Sequence, residues 1–151
     1  MEFLSFPTPL GPMALGEEAG ALVRLWLPGD PTPRLMPHET PLLAEGRRQL
    51  LDYLEGRRQQ FDLPLAPQGT PFQLRVWAAL RDIPYGQTRS YRDIALAVGC
   101  PQGFRAAGMA CRVNPIPILI PCHRVTAANG GPGGYSGGPE LKQALLALEQ
   151  R

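Results

Sequence analysis

The hydrophobic positions of the first 27 residues come in short bursts separated by turn signals. Phe3 to Phe6, Met13 to Leu15 and Leu22 to Leu27 predict strands, broken by Pro-Leu-Gly-Pro and Glu-Glu-Ala-Gly. Residues 28–37 are proline-rich and predict a loop. The period then changes: Leu43, Leu50, Leu51 and Leu54 predict a helix from Pro41 to Leu54, stopped by Gly56. Phe61 to Leu65 predicts one more strand, and Leu65-Ala66-Pro67-Gln68-Gly69 reads as a linker. Past it, Thr70, Pro71 and Gln73 make a helix start with a capping box, and Phe72, Val76, Leu80 and Ile83 recur at helical spacing. Pro84-Tyr85-Gly86 ends that helix. Ser90, with Asp93 three residues on, caps a second, turning Ile94, Ala97 and Val98 inwards, and Gly99 closes it. A third spans 103–112, and a last one starts near Pro139 with Leu141, Leu145, Leu146 and Leu148. The pattern predicts an α+β protein: a small strand–helix domain over 1–66 and a helical domain over 67–151. Two short helices joined by a glycine-containing turn suggest helix-turn-helix, with an ordinary helical hairpin as the plainer alternative.

The densest chemistry lies in Ile116-Pro117-Ile118-Leu119-Ile120-Pro121-Cys122-His123-Arg124-Val125. Branched residues at 118–120 favour extended chain, and the flanking prolines allow no helix through it. This predicts a buried strand that surfaces at Cys122, where packing would hold a nucleophile in place. Asn114 precedes Pro115, so the helix before it stops there. On residue types alone, a small core cysteine beside a satisfied core histidine is as good a reading.

Two helices carry unusual surfaces. At about 100° per residue, Ala106, Ala107, Ala110 and Cys111 form one broad small face of the third helix, and Arg105, Met109 and Arg112 cluster on another. A small face suits close approach to a minor groove, or packing against another helix. On the last helix, Glu149 falls at about 80° from Leu141, between Leu145 at about 40° and Leu146 at about 140°. A carboxylate inside an apolar arc and at a helix C-terminus is doubly disfavoured, which marks a site candidate or a frayed end.

Composition narrows the classes. With 44% hydrophobic residues over 151 positions, the chain can bury a real core. No export signal is evident, since the first basic residue is Arg24, and no apolar run is long enough to span a membrane. Three cysteines, an odd number, then predict reduced thiols and a cytoplasmic protein. Only His38 and His123 are histidines and no CxxC pair exists, so no metal site is expected. Residues 1–70 carry six Arg against nine acids, a net −3; residues 71–151 carry eight Arg and Lys142 against four, a net +5. The basic half is the one suited to a polyanion.

Asn114-Pro115 followed by Pro121-Cys122-His123-Arg124-Val125 closely resembles the active-site segment of the O6-alkylguanine-DNA alkyltransferases, the methylated-DNA–protein-cysteine methyltransferases. The resemblance is strong over about residues 70–150. It implies a ribonuclease H-like first domain and a winged helix-turn-helix-like second one, with residues 126–134 as the wing hairpin. It implies a monomeric DNA-repair enzyme without metal or cofactor. Such an enzyme flips O6-alkylguanine out of duplex DNA through the minor groove and transfers the alkyl group irreversibly to Cys122, once per molecule. O4-alkylthymine would be a second lesion. Cys122 would be the nucleophile, His123 its base through one water, Glu149 the acid that orients His123, and Asn114 the tie between helix and nucleophile. Tyr91, Pro117, Val125, Tyr135, Ser136 and Gly137 would form the base pocket. Arg105 would fill the vacated stack, with Phe104, Ala106, Ala107, Ala110, Arg112 and Arg89 along the DNA. Arg124 would anchor the motif. Two rivals remain: a lesion-binding alkyltransferase-like module without catalysis, which Cys122 argues against, and a thiol hydrolase, for which no oxyanion-hole motif is seen.

Overall fold

The computed structural model describes residues 1–127 and 134–151. The chain divides into two compact units, Met1–Pro67 and Gln68–Arg151.

In the first unit, β1 (Glu2–Phe6), β2 (Met13–Glu18) and β3 (Ala21–Trp26) form an antiparallel meander in sequence order. Leu15 stands opposite both Leu4 and Leu25. α1 (Pro41–Leu54) begins at Thr40, whose hydroxyl accepts from Leu43 N at 3.1 Å. The helix buries Leu43, Leu50 and Tyr53 completely, beside the equally buried Leu15 and Leu22. Gly46 lets it come close: a Cβ there would stand 2.9 Å from Leu15 Cδ1. The strand expected over 61–65 does not form. Leu65 makes a single parallel bridge to Leu22, and prolines at 64 and 67 leave too few donors for a ladder.

In the second unit, α2 (Pro71–Arg81) starts with the expected reciprocal capping box of Thr70 and Gln73. α3 (Tyr91–Ala97) has the same device in Ser90 and Asp93. α4 (Phe104–Arg112) and α5 (Pro139–Leu148) complete the helices. Trp77 on α2 is buried, and its indole N–H donates to Ala110 O on α4 at 2.9 Å, fixing the two helices. On α3 the inward residues are Ile94, as expected, and Ala95, whereas Ala97, expected inside, is exposed and Val98 is half-buried: the buried face is turned towards Ala95 by less than a quarter turn. β4 (Arg89–Ser90) pairs in parallel with β5 (Val125–Thr126), which brings the start of α3 beside the Cys-His-Arg segment. The wing expected over 126–134 lies largely outside the described residues. No helix is long and apolar enough to cross a membrane among the described residues.

Candidate active site

The segment leading to Cys122 is not a strand. Ile116 to Ile120 folds into a tight reversal, with Ile120 N donating to Ile116 O at 2.9 Å and Ile118 held at φ +73°. A branched residue in the left-handed region carries roughly 1–2 kcal/mol of strain, so its surroundings must impose it. Asn114 does so. Its Oδ1 accepts from Ile116 N at 3.0 Å and its Nδ2 donates to Ile120 O at 2.9 Å, clasping the turn at both ends. These bonds are buried, and Ile116, Ile118 and Ile120 are wholly or almost wholly enclosed. Local β propensity gives way to this clasp and to the flanking prolines.

Cys122 then opens a single turn of 3₁₀-helix, Cys122–Arg124, closed by Arg124 N on Pro121 O at 3.0 Å. Cys122 was expected to surface. It is 3% exposed instead, with His123 at 0% and Arg124 at 7%.

These groups converge on Glu149, the residue after α5. Its Oε2 accepts from His123 Nε2 at 2.8 Å and Arg124 Nη2 at 2.9 Å. Its Oε1 accepts from Arg124 Nε at 2.8 Å and Gly86 N at 3.1 Å. Gly86 sits at φ +79°, where glycine is favoured and a side chain would crowd Glu149 O. Arg124 also donates through Nη1 to Ile83 O at 2.8 Å and stacks over the Tyr85 ring. Glu149 is therefore the hub that joins the end of α2, the Cys-His-Arg turn and the end of α5.

Electrostatics follow from this burial. The Cys122 thiol is pushed up to about 11 by desolvation, against a hydrogen bond from Asn114 and the nearby Lys142 charge. The resting sulfur is therefore a thiol, which needs a base before it can act as a nucleophile. Burial pushes His123 below its ordinary value, and Glu149 opposes this. We take His123 as neutral, because Arg124 already engages the Glu149 charge through two bonds. The Glu149 contact then fixes the proton on Nε2 and leaves Nδ1 as the basic nitrogen. The ring is a base in waiting.

Lys142, the only lysine, was not singled out from sequence. It is fully buried on α5, and its Nζ donates to Val125 O at 2.6 Å. Desolvation lowers its proton affinity, opposed only by the negative charge that Cys122 or Cys111 would carry as a thiolate. The signal existed: Lys142 lies at about 100° from Leu141 on the helical wheel, beside Glu149 and inside the same apolar arc. A lone lysine on an amphipathic helix is ordinarily a solvated residue, so it carried no weight.

The remaining candidates sort by burial. Pro117 and Val125 are buried next to Cys122 in the chain, and Tyr91 is half-buried, its hydroxyl donating to Gly134 O at 3.3 Å. Burial, with the Cys111 and Cys122 thiols nearby, raises that hydroxyl's pKa. Tyr135 and Gly137 are half-buried and Ser136 exposed, in a turn closed by Gly138 N on Tyr135 O. Arg89 is half-buried, its guanidinium held by Thr88 O and Gln87 Oε1. On α4, Phe104, Arg105, Ala106 and Arg112 are exposed. Ala107 and Ala110 are not: at 0% and 2% exposure they pack into the core. That corrects their expected place along DNA. The small face brings α4 against its neighbours, and the opposite face is the one open to a ligand. A cavity of about 300 Å³ lies on that open face, between Tyr91, Phe104, Arg105, Met109, Arg112 and Gly134. No cluster of His, Cys, Asp or Glu suited to a metal ion occurs among the described residues.

Comparison with known proteins bears on this arrangement. The family model described as 6-O-methylguanine DNA methyltransferase, DNA binding domain, matches residues 71–151. A constitutive methylated-DNA–protein-cysteine methyltransferase of Bacillus subtilis is 46% identical over 95% of this chain and 92% of its own length. One from Methanosarcina acetivorans is 42% identical over 99% and 98%. Among solved structures, Mycobacterium tuberculosis OGT in complex with DNA superposes with a TM-score of 0.92 at 39% identity, covering 99% of this chain and 93% of that one.

Proposed function

Since the chain belongs to the methylated-DNA–protein-cysteine methyltransferase family, we propose that it repairs O6-alkylguanine in duplex DNA by moving the alkyl group onto its own Cys122. The observation that carries this is the buried His123–Glu149 hydrogen bond on the turn that bears Cys122, with Asn114 and Lys142 acting on the sulfur.

The alkyl carbon on O6 lies inside the duplex, and Cys122 sits on a braced turn that cannot reach it. The damaged nucleotide must leave the stack, at a cost of a few kcal/mol that is smaller for a poorly paired base. Arg105 fills the gap and the basic face of α4 meets the minor groove, with Arg112 and Arg89 beside it. Tyr91, Pro117, Val125, Tyr135 and Gly137 would line the pocket, and the backbone N–H of Ser136 would donate to O6. A donor at O6 makes guanine the better leaving group.

Sγ attacks the alkyl carbon while the thiol proton passes through one water to His123 Nδ1. An S–C bond forms and the C–O6 bond breaks. Guanine leaves with the electron pair and takes up a proton. Glu149 stabilises the imidazolium that forms, and the Lys142 ammonium favours negative charge on sulfur. The thioether product does not hydrolyse, so each molecule acts once. The lesion-binding alternative is not favoured, because the reactive sulfur is present with its base.

The same reading assigns residues 1–66 to a ribonuclease H-like domain and 67–151 to a winged helix-turn-helix-like domain, in a monomeric, cytoplasmic protein. The two compact units support the division. O4-alkylthymine is the second lesion that the pocket would accept. The test is intact mass after mixing with duplex containing O6-methylguanine. One added CH2 on Cys122, absent in Cys122→Ser, is expected. DNA binding with no mass change at excess lesion would overturn the reading.

A further inference from the structure

Phe104 is an exposed aromatic beside the arginine proposed to enter the duplex, and its surroundings give it a use. It is 39% exposed at the first position of α4, and Met109 on the same open face is 57% exposed. At about 100° per residue, Phe104, Arg112, Arg105 and Met109 fall within one arc of about 140°. These side chains line the cavity of about 300 Å³. The Arg92 guanidinium from α3 lies over the Phe104 ring, 5.8 Å from its centre, and Arg92 is itself exposed. A ring with a cation near one face and solvent at the rest is held in position without being enclosed.

We propose that Phe104 is a second wedge, stacking on the base pair that flanks the lesion while Arg105 occupies the vacated position. This rests on the alkyl-transfer reading above. Adjacent Cα atoms stand about 3.8 Å apart but on a helix their side chains diverge by about 100°, so the Phe104 ring and the Arg105 guanidinium reach neighbouring, not identical, positions along a strand whose nucleotides repeat about every 3.4 Å. If Arg105 takes one position in the stack, its neighbour in sequence meets the next. Minor-groove proteins use apolar side chains in this way to open a base step. The Arg92 charge, carried on the ring, then lies where the adjacent phosphate would be. Phe104 would thus set how readily the base is everted, not how fast the sulfur reacts once it has arrived. It is a positioning residue for the duplex, and the site's preference for particular flanking bases would come from it.

The test compares Phe104→Ala and Phe104→Leu with the unaltered protein in single-turnover alkyl transfer. Three substrates are used: duplex O6-methylguanine, the same strand unpaired, and free O6-benzylguanine. A duplex with 2-aminopurine next to the lesion reports flanking-base unstacking by fluorescence. Phe104→Ala is expected to weaken reaction with duplex about tenfold, within the loss from removing one base–aromatic stack. It should also abolish the 2-aminopurine change and leave the free-base rate unaltered. Phe104→Leu should fall between. Equal duplex rates for Phe104→Ala and the unaltered protein would overturn the wedge, as would parallel losses on duplex and free base. If the unaltered protein takes up an alkyl group from none of the three substrates, it is the alkyl-transfer reading that fails.

Discussion

Replacing Glu149 with Gln tests the hub of the site, because the two side chains have nearly the same shape. Each Glu149 oxygen accepts two hydrogen bonds: His123 Nε2 and Arg124 Nη2 on one, Arg124 Nε and Gly86 N on the other. A carboxamide offers one acceptor oxygen and one NH2. Either way round, two buried donors face another donor, at about 1–3 kcal/mol each. The Arg124 charge also loses its counter-ion, and an uncompensated buried charge costs about 3–5 kcal/mol. These overlap, so about 4 kcal/mol is expected in total, a large share of the roughly 5–15 kcal/mol that holds a domain folded. With a urea slope of about 2 kcal/mol per molar, the midpoint falls by about 2 M. Equilibrium urea unfolding reads this directly. Removing both charges together, as Arg124→Met with Glu149→Met, should restore much of the loss, since the pair then leaves no lone ion. It should not restore alkyl transfer, because His123 has lost its partner. A midpoint for Glu149→Gln within about 0.3 M of the unaltered protein would refute the argument that the carboxylate's charge and four bonds organise the site.

Three further outcomes follow from the site's electrostatics. If a free thiolate at about 11 were the reactive form, the alkylation rate would climb about tenfold per pH unit through the alkaline range. With His123 accepting the proton the rate should instead level off above the histidine's lowered pKa, so a single-turnover pH profile that still rises beyond about pH 8 excludes the relay. Because His123 is neutral when folded and the unfolded chain takes up a proton near its ordinary value, stability should also decline as pH drops below about 6.5, read by urea midpoints. Lys142→Met should slow alkyl transfer and leave Cys122 less reactive towards iodoacetamide, since the nearby cation that lowers the thiol's pKa is gone; unchanged reactivity would show that Lys142 matters only through Val125 O.

What could be read from the sequence, and what could not, divides along physical lines. The helix starts at Thr70 and Ser90 were legible because a capping box satisfies backbone donors locally, with no help from tertiary structure. Glu149 was legible because a carboxylate in an apolar arc needs partners. Which partners these were was partly legible, as Arg124 and His123 stand in one motif. The turn at Ile118 was not. Its residues prefer strand, and only the Asn114 side chain, reaching across six residues to Ile120 O, overrides them. The face of α4 was ambiguous for a different reason. Alanines at 107 and 110 would serve equally to approach a groove or to admit Trp77, and only burial tells the two apart. Lys142 was overlooked because its burial depends on partners, Val125 O and two thiols, that come from distant parts of the chain.

The double duty of Asn114 makes mutagenesis there ambiguous. One amide both forces Ile118 into a conformation it resists and holds the sulfur's hydrogen bond. No substitution can remove one task and spare the other. Whatever an Asn114 variant loses in activity will mix a displaced sulfur with an altered one, and the two causes separate only by relieving the turn independently, at residue 118.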